Sequence, residues 1–255
     1  MNEHRLSVLD HGFVELRNLA GQTRRMWAPT RSLVDGIEVD LDLARSFDAD
    51  DVDPANAARM SFDQMDKGRT RQKDLDLCNY LMKNRHTSPF EMIECWVEMK
   101  MPIFVARQFV RHRTVSINEV SGRYVTLPAE WYIPEVVGAK PDIAKQGQVD
   151  KLPPELQHEF KMDLDEDCQR SYNKYIKYIE LGVAPEHARM WLHLNHYTHW
   201  LWKQDLHNIM HFLSLRDHSH AQIEAQAYAK AIDVLLREQL PNTMSLYDKY
   251  RKLEA

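Results

Sequence analysis

The stretch Arg111-His112-Arg113-Thr114-Val115-Ser116-Ile117-Asn118-Glu119-Val120-Ser121-Gly122-Arg123-Tyr124 decides how the rest of the chain is read. It follows directly on an apolar run, Pro102-Ile103-Phe104-Val105-Ala106-Arg107-Gln108-Phe109-Val110, so its charges stand at the end of an element that a core must hold. A guanidinium is always charged and presents a planar fork of donors. Clustering such groups on a partly buried element costs desolvation free energy unless anions arrive to pair with them. Phosphates are the obvious guests. The run from Pro102 reads as a helix that delivers Arg107, Gln108 and Arg111 along roughly one face at its end. Beyond His112 the polar signature is too dense for a helix and is expected to turn through a pocket.

Working outward, the residues before this stretch alternate. Met92 to Met101 reads as a strand with Ile93, Cys95, Val97, Met99 and Met101 on one face. Arg5 to Leu9 and Phe13 to Arg17 read as two short strands joined at Asp10-His11-Gly12. Residues 21–52 are an elaboration, expected at the surface. Asp53-Pro54 suggests an N-cap and a proline-started short helix through Met60. Thr70 to Asn84 is a clearer helix, with Leu75, Cys78, Leu81 and Met82 recurring at helical spacing, and His86-Thr87-Ser88-Pro89 is a loop. After the signature, residues 135–154 read as a long surface loop, and Glu155 to Leu181 as an amphipathic helix stopped by Gly182. Pro185 opens a short helix bearing Arg189. Leu194 to Lys203 reads as an aromatic-rich strand, Asp205 as the N-cap of a helix to Leu215, Ser219 as the N-cap of a long helix ending before Pro241, and Thr243 as a cap for the last turns. The sum is an α+β fold: a single mixed domain over 1–255, a small mostly antiparallel sheet flanked by long helices, without the βαβ alternation of a Rossmann unit.

Composition narrows the function. The 255 residues are 44% hydrophobic and 28% charged, ordinary for a globular chain. A net charge of -5 argues against a general nucleic-acid coat. No run approaches the ~20 apolar residues of a membrane span, and Met1-Asn2-Glu3-His4-Arg5 is no secretory signal. The three cysteines, Cys78, Cys95 and Cys168, make no C-x-x-C pair, which fits a reducing cytoplasm. The eight glycines form neither G-x-G-x-x-G nor a P-loop, so any pyrophosphate must be held by side chains.

Arg111-His112-Arg113 with Ser121-Gly122-Arg123-Tyr124 behind it resembles the signature of the flavin-dependent thymidylate synthases, the thymidylate synthase-complementing protein family. The likeness continues through His86-Thr87-Ser88-Pro89-Phe90-Glu91, Phe104-Val105-Ala106-Arg107-Gln108, Glu130-Trp131-Tyr132-Ile133-Pro134, Ala188-Arg189, Leu213-Ser214-Leu215-Arg216 and Ser219-His220-Ala221-Gln222. This resemblance implies reductive methylation of dUMP to dTMP. Methylenetetrahydrofolate would be the carbon donor, FAD the hydride carrier and NADPH the reductant, in a homotetramer with shared active sites. It implies that Gln108, Arg111, Glu119, Ser121, Gly122, Arg123, Arg189 and Arg216 hold dUMP. Ser88, Arg111, His112, Arg113, Glu119, Asp205, His207 and His211 would meet FAD, and Arg216 would be the catalytic cation. The chain departs from the family pattern at Asp205-Leu206-His207 and His211, where some members have an Asn-x-Arg triplet and a later Asn, and at Met92, where histidine is frequent.

Plainer readings stand beside these. Arg111 and Arg113 could be a surface patch paired with acids, and an isolated Arg216 could merely offset a helix dipole. Ser121 has no Ser-His-Asp spacing around it and reads as a hydrogen-bonding ligand, not a nucleophile. His207 and His211, one helical turn apart, could hold zinc in a hydrolase, but Asn208 stands where H-E-x-x-H requires the general base, so no metal is expected. A non-catalytic nucleic-acid module would explain the arginines but not the net acidity.

Overall fold

Alternation around Asp10-His11-Gly12 produces an antiparallel hairpin, β1 (Arg5–Val8) and β2 (Gly12–Ala20). In this computed structural model the described residues are 4–21, 49–64, 70–139 and 151–252, with 31–34 and 37–40 described as backbone. β2 pairs with β5 (Glu94–Pro102), β5 with β7 (Tyr197–Asp205), and β7 with β6 (Ser116–Glu119), so the sheet order is β1-β2-β5-β7-β6 with every pair antiparallel. A separate hairpin, β3 (Arg31–Val34) with β4 (Ile37–Asp40), lies within the 21–52 elaboration.

The register sorts the sheet into two chemically different faces. Leu16 faces Val97 and Val97 faces Trp202, while Val14, Met99 and Trp200 form the next row. These residues are buried beneath helices α3 (Ile103–Phe109), α6 (Leu206–Arg216) and α7 (Ile223–Gln239), which supply Phe109, Phe212, Leu213, Tyr228, Ile232 and Leu236 to the same core. On the other face Glu98 takes both Arg17 and His199, and Glu94 takes Lys203. Apolar burial on one side and ion pairs on the other explain the strict alternation of β5.

The expected strands and helices appear, with local corrections. The polar signature does not only turn; Ser116–Glu119 forms the edge strand β6, with Ile117 opposite Trp202. Pro102 ends β5 and sits at the N-cap of α3, and the helix stops at Phe109, so Arg111 lies beyond it. Asp53 is inside α1 (Asp53–Arg59) behind an N-cap of Val52, and its carboxylate accepts from Asp50 N at 2.9 Å. α2 (Arg71–Lys83) and α4 (Pro154–Glu180) match their expected spans closely, and Gly182 adopts the left-handed φ of 83° after α4. α5 (Pro185–Ala188) precedes Arg189, which lies in a 3₁₀ turn. Asp205 caps α6 as expected, accepting from Asn208 N at 2.9 Å.

Two other caps were expected in the wrong place. Ser219 is not the cap of α7; Gln222 is, because Ala221 N donates to His218 O and closes a turn first. Thr243 lies inside α8 (Pro241–Tyr250), since Pro241 starts the helix without needing a donor. The first free N–H groups, of Asn242 and Thr243, donate instead to Asp51 at 3.0 and 2.7 Å. Asp51 and Val52 are buried, so the elaboration expected at the surface ends in the core. Its residues 22–30, 35–36 and 41–48, like 140–150 of the long loop, lie outside the described residues.

Gly12 marks where the hairpin and α7 meet most closely. A Cβ there would stand 2.0 Å from the Tyr228 hydroxyl and 2.7 Å from Lys100 O, the pair joined by a 2.7 Å hydrogen bond. Gly12→Ala is expected to cost about 3 kcal/mol of unfolding free energy, from overpacking plus the lost bond. Gly182→Ala, in open space but at positive φ, should cost only about 1 kcal/mol. Urea titration of the two variants checks the ranking.

Candidate functional site

α3 ends in a tight turn, His112 N donating to Phe109 O at 3.0 Å, which throws Arg111 and Arg113 outward and His112 inward. A cleft of about 860 Å³ opens there, lined by Arg107, Gln108, Arg111, Arg113, Val136, Gly138, Arg216 and the 220–224 segment that leads into α7. Among the described residues none of Arg107, Arg111, Arg113 and Arg216 forms an ion pair. Among the described residues these arginines therefore do not form an acid-paired patch. The lining carries one carboxylate, Glu224, and it is held by the Tyr132 hydroxyl at 3.2 Å.

Arg216 is the most constrained of the cleft's cations. Its Nε donates to His112 Nε2 at 3.0 Å and its Nη2 to Gln108 O at 3.1 Å, so it satisfies a carbonyl at the end of α3. Burial, and then the charge of Arg111, lower its pKa, which means the cleft disfavours the cation it holds. His112 packs edge-on against Phe212, ring centroids 4.9 Å apart. Burial first, then Arg216 and His211, push its pKa down to about 4. Gln108 meanwhile donates to Gln222 Oε1 at 2.6 Å, tying α3 to the start of α7.

The remaining sequence-selected residues fall elsewhere. Glu119, at the end of β6, faces Trp200 across the strand pair and accepts a short hydrogen bond from Thr198. Ser121, Gly122 and Arg123 follow in a turn whose Ser121 Oγ accepts from Arg123 N at 3.3 Å. A Cβ on Gly122 would lie 3.1 Å from Leu127 Cδ1 and 3.4 Å from Arg189 Cδ, so Arg189 does join this second cluster. α4 clamps the cluster from behind: the Tyr172 hydroxyl donates to Leu127 O and Leu127 N donates to the Tyr175 hydroxyl, both at 3.0 Å. None of these residues lines the arginine cleft. Tyr124, Met190 and Leu194 around them are 81%, 75% and 66% exposed.

Ser88 lines a third hollow, about 610 Å³, with Arg59, Met60, Ser61, Phe62, Tyr80, His86 and Met92. Sequence reasoning missed most of it, because the apolar residues of 60–62 give no periodic signal. It also gave no role to the 220–224 lining of the cleft. On α6, both Asp205 oxygens are engaged by Asn208, and His207 Nδ1 lies 3.4 Å from an Arg251 nitrogen. His211 instead approaches His112, with ring centroids 6.4 Å apart. Among the described residues no His, Cys, Asp and Glu side chains gather in a metal-holding set, and the cation beside His207 disfavours the zinc-hydrolase alternative. Cys78, Cys95 and Cys168 are all buried and unpaired; burial raises each thiol pKa, Cys78 to about 12.

A helix-backed antiparallel sheet, bearing a cluster of guanidiniums without ion pairs among the described residues and no glycine-rich loop, is the build of an α+β protein whose cleft presents positive charge on side chains. The particular kind follows from comparison. Residues 42–242 match the family model described as thymidylate synthase complementing protein, and the chain belongs to that family. It is 44% identical over 245 residues to a flavin-dependent thymidylate synthase of Thermus thermophilus, covering 96% of this chain and 78% of that one. It is 41% identical over 210 residues to that of Gluconobacter oxydans, covering 79% and 68%. A solved UMP/dUMP methylase, PolB of Streptomyces cacaoi bound with 5-Br dUMP, has the same fold at a TM-score of 0.77, with 23% identity over 98% of this chain and 100% of that one. Among the described residues no helix is long and apolar enough to cross a membrane.

His112 and His196 are both buried and neutral, each with a pKa lowered from 6.5 to about 4, chiefly by burial. The unfolded chain takes up these protons first, so their stabilising effect is complete above pH 6.5 and is lost as pH falls toward 4. The urea midpoint is expected to fall across that window, and His196→Phe should flatten part of the slope.

Proposed function

We propose that the chain methylates dUMP to dTMP reductively, with methylenetetrahydrofolate giving the carbon, FAD carrying the hydride and NADPH reducing the flavin. The observation that carries this reading is the unpaired arginine cleft with Arg216 fixed inside it. Phosphate oxygens meeting Arg111 and Arg113 would gain bidentate, charge-assisted hydrogen bonds that no described acid now competes for. Gln108 and Arg216 then address the ring of dUMP. C5 of neutral uracil is a weak nucleophile, and a fixed cation beside the ring stabilises the negative charge that makes it reactive. Arg216 suits this task because it cannot deprotonate and is already desolvated in part. The buried, proton-holding thiols and the Ser121 hydroxyl, whose Oγ faces its own turn, support chemistry without a protein nucleophile.

The residues present fit a flavin dinucleotide. Arg111, His112 and Arg113 would hold it on one side and Ser88, Asp205, His207 and His211 on the other, with Glu119, which lies outside this cleft, reaching it from a neighbouring copy, and when bound it supplies hydride. Asp205 would act by fixing the start of α6, since its oxygens already serve Asn208. The hollow around Ser88, with Tyr80 and Met92 in its wall, suits a flat apolar ring.

The separation of Ser121, Gly122, Arg123 and Arg189 from the cleft supports a site shared between copies of a homotetramer. Tyr124, Met190 and Leu194 would be covered by the neighbouring copy. Mixed tetramers of Arg216→Ala and Arg123→Ala are then expected to regain up to about a quarter of the sites' activity, where each variant alone has little. Failure to regain any would leave both clusters in one copy.

Tritium release from 5-tritiated dUMP tests the reaction itself. It should require methylenetetrahydrofolate, FAD and NADPH and should yield tetrahydrofolate. Arg216→Lys should lower turnover by roughly 100-fold while phosphate binding persists, because an ammonium cannot reproduce the fork to His112 and Gln108. Dihydrofolate as product, or a covalent protein–pyrimidine adduct, would overturn the proposal.

A further inference from the structure

The cleft poses a question its arginines do not answer: what keeps the Arg216 guanidinium aimed, when an unpaired cation among cations would swing toward solvent? Repulsion from Arg111 pushes it outward, and burial opposes its charge. Among the described residues two hydrogen bonds resist, to Gln108 O and His112 Nε2. The carbonyl is fixed by helix α3 whatever the pH. The imidazole is not.

An arginine Nε–H can only donate, so the nitrogen 3.0 Å from it must carry no proton. His112 is therefore neutral, with its proton on Nδ1. Among the described residues nothing accepts from Nδ1, which leaves that proton for a ligand. The ring itself has little freedom, being held by Phe212 and by the turn from Phe109. The charged and titratable groups that face it are Arg216 and His211 from α6, with Arg111 and Arg113 flanking it on its own segment. Every one of them is a base, so no neighbouring acid helps the ring to take a second proton.

We infer that His112 is the positioning residue for Arg216: as the Nδ1–H tautomer it fixes the guanidinium through Nε2, and a second proton on the ring would release it. The role is additional to any contact His112 makes with a cofactor. It rests, for its catalytic consequence, on the reading of Arg216 as the cation beside the pyrimidine; the tautomer does not depend on that reading. One ring would then link the two ligands, Nδ1–H on one side reporting occupancy to the arginine on the other.

Two measurements test it. Long-range proton–nitrogen spectra of the full chain labelled in histidine, with His112 assigned from His112→Gln, are expected to show protonated Nδ1 and bare Nε2. That signal should not titrate between about pH 8 and about pH 5, where an ordinary imidazole would. An Nε2–H tautomer, or titration near the ordinary value, would sink the inference, even in a chain that released no tritium.

The second measurement compares His112→Leu, which fills the space without an acceptor, with His112→Gln, which offers an acceptor that never ionises. Turnover is expressed per bound flavin, read from visible absorbance, so that loss of cofactor does not count. Leucine should lower kcat by roughly 10-fold, the worth of one charge-assisted hydrogen bond. Glutamine should recover most of that loss and abolish the fall in kcat on the acid side. Equal losses in the two variants, or an acid limb unchanged by glutamine, would assign His112 a merely structural place.

Discussion

Like charges held together without ion-pair partners among the described residues are the constraint on which this structure turns. Arg107, Arg111, Arg113 and Arg216 share one cleft with a single carboxylate, Glu224, in its described lining, while other described acids are engaged elsewhere: Asp74 with Arg59, Asp233 and Asp248 with Arg237, Glu98 with Arg17 and His199. A net charge of -5 makes this selective, because acid is not scarce. Holding such a cluster demands a rigid base. The sheet provides it, through the apolar rows of β2, β5 and β7 and the helices that cover them. The free energy of that core is what offsets the repulsion at its rim.

The rim is tuned with neutral groups as much as with charged ones. A carboxylate in the place of His112 would bind Arg216 more strongly, yet it would cancel the charge the cleft presents to an anion. A neutral imidazole acceptor fixes direction and leaves the charge intact. Gln108 works similarly, its backbone carbonyl taking Arg216 and its side chain reaching Gln222 across to α7. Helix termini and amide dipoles thus do the aligning, and the formal charges stay available.

Sequence patterns made local features legible and non-local ones opaque. The alternation of Cys95, Val97, Met99 and Met101 is repeated as burial in β5, and Asp205 caps α6, because each depends on neighbours along the chain. Asp51 capping α8 could not be read, since the donor and acceptor stand far apart in sequence and meet only once the fold has formed. The same holds for β6. Ser116 to Glu119 reads as part of a turning polar segment, and it becomes a strand because Trp202 offers Ile117 an apolar partner on one face only. In the site, family motifs singled out Gln108, Arg111, Arg113 and Arg216, which the fold brings to one cleft, whereas the wall from 220 to 224 carried no role in them.

That edge strand has a further consequence for the signature itself. An extended segment advances about 3.3 Å per residue, so a passage through β6 can carry Ser121 on the order of 20 Å from Arg113. Residues adjacent in the motif are thereby sent to different places, Arg111 and Arg113 into the cleft and Ser121 to Arg123 into the turn against Arg189 and Leu127. A helix or tight turn over the same residues would have kept them within reach of a single ligand. The extended backbone, pinned by β7 on its inner edge, is what separates the two ends of the motif, one at the cleft of its own chain and the other beside the exposed Tyr124, and the proposal of a site shared between copies rests on that separation.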